Sequence, residues 1–119
     1  MIDLEGFRQS LDALRESVDK SCSALQLPRL EEELTELKEE MNAPEFWNDL
    51  ERSTQVNKRV SRIEEKKKRI GDLVARMDDV DAMLTLLSEE ADEEIAAECE
   101  SALASLQADA DALELETLM

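Results

Sequence analysis

A chain of 119 residues with 42% hydrophobic content can bury one modest core, and two Gly with two Pro leave little material for hairpin turns. Charged residues make up 38%, with 31 acidic against 14 basic, so the balance is that of long amphipathic helices. A net charge of −17 argues against a stand-alone nucleic-acid binder, because phosphate repulsion would oppose the approach.

The first apolar stripe is Leu4, Phe7, Leu11, Leu14, Val18 and Leu25, with a gap at Ser21. Steps of three and four residues put these side chains on one helical face, predicting a helix over 3–25. Leu27, Leu30, Leu34, Leu37 and Met41 repeat the spacing and predict a second helix over 28–42. Pro28 suits its first turn, where a missing N–H costs nothing. Asn42-Ala43-Pro44 ends it, since the residue before proline is driven out of the helical region.

Asn48 with Glu51 resembles a capping box, which predicts a third helix from 48 to 88. Val56, Val60, Ile63, Ile70, Val74, Met77, Val80, Leu84 and Leu87 carry its apolar rhythm, broken at Lys67. At ~1.5 Å per residue it would run roughly 60 Å, so a partner helix must return along it. Gly71 is a candidate bend. The fourth helix, 92–117, supplies that partner through Ile95, Cys99, Leu103, Leu106, Ala110 and Leu113. Asp92, Glu93 and Glu94 suit the positive end of its dipole. The expected fold is all-α: an antiparallel helical bundle, one domain over 1–119, with a shorter helix pair packed on a long, coiled-coil-like hairpin.

No catalytic constellation is present. The chain has no His, no Gly-rich phosphate loop and no G-x-S-x-G. Cys22 and Cys99 lack metal-ligand spacing and read as small core residues in a reducing compartment. No metal or cofactor is expected. The N-terminus has no signal-peptide pattern and no stretch reaches membrane-spanning length, so a cytoplasmic protein is expected.

Charge is distributed unevenly. Residues 77–119 contain fourteen acids and no Lys or Arg, whereas 49–76 sum to +4. Lys58, Arg62, Lys66 and Arg69 recur at four- and three-residue steps as a cationic stripe, flanked by Arg59, Lys67 and Lys68. One reading balances this stripe against the acidic fourth helix, and the other faces it towards an anionic partner such as RNA. Pro44, Phe46 and Trp47 form the most specific local feature. Adjacent aromatics in a chain this poor in them act either as an anchor for the connection or as an exposed binding hot spot.

Leu27-Pro28, the Glu-rich stripe Leu30–Met41 and Pro44-Glu45-Phe46-Trp47-Asn48-Asp49 resemble the N-terminal helical domain of the bacterial peptide chain release factor 2 family. The long helix, the acidic turn Ser88–Glu94 and the final Leu/Ala/Glu helix extend the resemblance along essentially the whole chain. It implies a non-catalytic ribosome-docking piece of a larger translation termination factor that reads UGA or UAA and releases the peptide. The Gly-Gly-Gln and Ser-Pro-Phe tripeptides that serve those activities in the family do not occur in these 119 residues. The implied partners are stalk-base ribosomal proteins and rRNA, with weak binding by this piece alone; the charge pattern, not the resemblance, offers Lys58, Arg59, Arg62, Lys66 and Arg69 as the candidate ribosome or RNA contact. The rival reading is a free-standing acidic coiled-coil adaptor or oligomerisation module, with its seams buried between chains of a homodimer.

Overall fold

The seven-residue apolar rhythm becomes four helices and no strand. The computed structural model describes residues 1–119, with α1 at Leu4–Ala24, α2 at Leu27–Glu40, α3 at Leu50–Glu89 and α4 at Glu93–Glu116. A single 3₁₀ turn, Phe46–Asn48, lies between α2 and α3. The protein is all-α. The chain divides into two compact units, one of residues 1–25 with 70–119 and the other of residues 26–69.

In the first unit α1 and α4 lie side by side with the second half of α3. Residues Asp3 and Phe7 share a cleft with Glu93 and Ala97, while Ser17 and Ala24 share another with Glu114 and Thr117. The like ends of α1 and α4 are therefore together, and the two helices run parallel. Arg8 bonds Asp81 at 2.8 Å and Arg15 bonds Asp78 at 3.0 Å, so α3 runs antiparallel to α1. Arg76 donates to Asp109 at 2.6 Å and Ser105 at 2.9 Å, which sets the antiparallel α3–α4 hairpin. The helices expected to form a short pair are thus shared out: α1 joins this hairpin, and α2 belongs to the other unit.

Leu11, Leu14, Val18, Leu73, Met77, Val80, Leu84, Leu87, Cys99, Leu106 and Leu113 are buried in this unit. Two expectations fail within it. Val74 is 40% exposed, and Leu73 takes the core position at 1%. The run Ile70, Leu73, Met77, Val80, Leu84, Leu87 alternates steps of three and four, and a side chain at 74 falls one position outside that seam. On α4 Ala96 is buried where Ile95 was expected, Ile95 being only half-buried.

Caps explain where the helices begin. Asp3 accepts from the Gly6 N–H at 2.9 Å, and a Cβ at residue 6 would collide with that carboxylate. Asp92 accepts from the N–H groups of both Glu94 and Ile95. α1 stops at Ala24 because Gln26 adopts a left-handed backbone (φ 54°) before α2 starts. α3 runs through Gly71 without interruption, and a Cβ there would meet nothing within 4 Å. No helix is long and apolar enough to cross a membrane.

Candidate functional site

Residues 26–69 hold every residue that sequence singles out for contact. α2 and the first half of α3 are antiparallel across the link 41–49, as two bidentate ion pairs show. Arg52 Nε and Nη2 reach the two carboxylate oxygens of Glu40 at 2.8 Å each. Two helical turns on, Arg59 grips Glu33 in the same forked manner, with Nη2 to Oε1 at 2.8 Å. Both carboxyls are held below the usual carboxylate range, chiefly by these arginine hydrogen bonds. Leu34, Phe46, Ser53, Val56 and Ile63 are buried.

Three backbone hydrogen bonds brace the link. Phe46 N–H donates to Ala43 O, Asn48 N–H to Glu45 O and Asp49 N–H to Phe46 O. The helix cap expected of Asn48 belongs to Asp49, which accepts from Arg52 N–H at 3.0 Å. Asn48 is instead spent in the 3₁₀ turn, so the capping role passes one residue along. Ser53 turns its hydroxyl to Leu50 O, which lets a polar side chain lie buried beside the turn.

The two aromatics part company. Phe46 is 6% exposed, whereas Trp47 leaves 56% of its surface in solvent. Their rings meet edge to face, with centroids 4.8 Å apart and planes at 88°. Pro44 is exposed, and so is Leu50, at 78%.

The cationic stripe is likewise divided. Arg59 is occupied by Glu33, a carboxylate on α2, rather than by the acidic fourth helix; Arg76, outside the stripe, pairs with Asp109 on α4. Lys58 and Arg62 are exposed, Lys66 is half-buried, and none of the three takes part in an ion pair. Arg69 is half-buried and does have a partner. Neither thiol is activated: burial pushes Cys22 up, helped by Asp19, and burial alone pushes Cys99 up. No three His, Cys, Asp or Glu side chains are grouped to hold a metal ion.

The PCRF domain matches residues 30–119. The chain belongs to the PCRF-domain family of peptide chain release factors.

Curated relatives named peptide chain release factor 2 extend the match into α1. That of Clostridium perfringens is 30% identical over 119 residues, 100% of this chain and 32% of its own length. That of Streptomyces avermitilis is 27% identical over the same 119 residues, again 32% of its length. That of Saccharopolyspora erythraea is 31% identical over 97 residues, 82% of this chain and 26% of its length. The chain thus spans about a third of the length of the release factors it matches. The PCRF match includes the aromatic turn and the whole cationic stripe.

Sequence reasoning finds the cations but not their partners. Glu33 and Arg59 are separated by 26 positions, and only the α2–α3 register brings them together. Leu50 also goes unnoticed, since a leucine opening a helix looks like a core residue until its exposure is known.

Proposed function

We propose that this PCRF domain is the ribosome-docking part of a release factor, acting in UGA- or UAA-directed termination in the cytoplasm without itself catalysing peptide release. The observation that carries this reading is the match of the whole chain to part of proteins named peptide chain release factor 2. Codon reading and peptide release are carried by the longer factors, and this piece contributes orientation.

The contact surface would be Lys58, Arg62 and Lys66. Cations four residues apart on a helix repel one another by a few tenths of a kcal/mol per pair. In a chain with 31 acidic side chains these three nevertheless make no internal ion pair. Charge kept unpaired at a cost to the helix is charge available to phosphate. Arg59 is excluded from the first contact because breaking its fork with Glu33 would leave that carboxylate facing the same phosphate. The adaptor reading loses its main support, since the apolar seams of α1, α3 and α4 are buried within the chain and not left for a second copy.

Co-sedimentation with 70S ribosomes tests the proposal. The chain should bind with a Kd weaker than about 1 µM, because a docking piece supplies only a few contacts. K58E/R62E/K66E should remove that binding, and each single replacement should lower the slope of log K against log salt by about 1. Sub-micromolar binding, or binding indifferent to the triple replacement, would overturn it.

A further inference from the structure

Trp47 and Leu50 stand three residues apart, both mostly in solvent, on a turn braced by the backbone hydrogen bonds of Phe46, Asn48 and Asp49 and by the Asp49 cap on Arg52 N–H. The Phe46 ring, buried beneath, holds Trp47 edge-on, and the Arg52–Glu40 fork clamps the helices that flank the link. An indole exposed on a rigid support loses little freedom when covered, which is the physical profile of a binding hot spot. Residues 39–51 contain Glu39, Glu40, Glu45, Asp49 and Glu51 and no Lys or Arg. Glu40 is neutralised by Arg52, leaving four acids around the apolar pair.

That rim selects the occupant. A second copy of a chain carrying −17 would bring like charge to the patch, and nucleic acid or an anionic membrane would meet the same repulsion. A cationic protein segment meets attraction at the rim and an apolar seat at the centre. We propose that the Pro44–Glu51 turn is a docking site for a basic, amphipathic segment of a partner protein, with Trp47 and Leu50 as the seat and Glu45, Asp49 and Glu51 as the rim. The site is separate from the cationic stripe, which begins about two turns further along α3, and it does not depend on the ribosome reading.

Trp47 is the only tryptophan, and the chain has no tyrosine, so its fluorescence reports on this site alone. The test titrates the chain with an 18-residue helical Lys/Leu peptide and with its Glu/Leu counterpart. The expected result is a saturable blue shift of Trp47 emission and protection from acrylamide with the Lys peptide, weakened by salt, and neither with the Glu peptide. Leu50→Ser and the pair Glu45→Gln/Glu51→Gln should each weaken binding at least fivefold while circular dichroism stays unchanged. The charge-matched pair Glu98→Gln/Glu100→Gln on α4 should leave it within twofold. Binding of the Lys peptide with no change at Trp47, or equal loss in the α4 pair, overturns the proposal. So does a shift that follows chain concentration alone, meaning a second copy covers the turn, or one produced by single-stranded RNA.

Discussion

Glu33 and Glu40 are the carboxylates whose pKa the fold lowers, each through an arginine on the facing helix. A depressed carboxyl stabilises the folded state above its ordinary value near 4.3, and that contribution is lost as pH falls through the lower folded value. Both side chains are about one-third exposed, so solvent screens the effect and keeps it modest. The E33Q/E40Q variant should therefore melt below wild type at pH 6, with the two melting temperatures converging towards pH 3. A gap that persists at pH 3 would place the cause in packing and not in these ion pairs. Gln26 is the other residue whose local state matters. It is the chain's one positive-φ residue, and a side chain there is strained. Gln26→Gly should raise unfolding stability by about 0.5–1 kcal/mol, read as a higher urea midpoint at unchanged slope. The 3.4 Å contact from Arg29 to the Gln26 side chain is too long to offset that gain.

At the level of the element, helix type is readable from spacing alone, while the exact seam is not. α4 offers a clean comparison. Leu113 is fully buried and Leu115, two residues on, is 62% exposed. Leu113→Ala should cost about 2–5 kcal/mol; Leu115→Ala should stay within about 0.5 kcal/mol. Equal effects in chemical denaturation would mean the α4 register is different from the one described. The same periodicity that predicts α3 misplaces Val74 for Leu73, because both lie within one step of the apolar stripe and only the facing helices decide between them. The start of α3 is misjudged for a similar reason. Asn48 and Asp49 are both good caps, and the 3₁₀ turn that consumes Asn48 is set by the burial of Phe46.

For the whole molecule, net charge is the quantity with reach. At −17 the folded chain repels itself more than the unfolded one, and added salt should relieve this. Raising NaCl from 10 to 200 mM should increase the melting temperature as the screening length shrinks to below about 10 Å. A decrease would show that the bridges of Arg8, Arg15 and Arg76 outweigh the repulsion. Fold class and family were legible in the residues themselves, since a 3.6-residue period, scarce Gly and Pro, and a proline–acid–aromatic turn are local properties. Which cations remain free was not. Lys58 and Arg59 are neighbours of the same charge, yet one is unpaired and the other is gripped by a carboxylate 26 residues away. Phe46 and Trp47 are likewise adjacent aromatics, one in the core and one in water. Adjacent side chains on a helix or turn point in different directions, so composition names the candidates and only the packing of α2 against α3 assigns them.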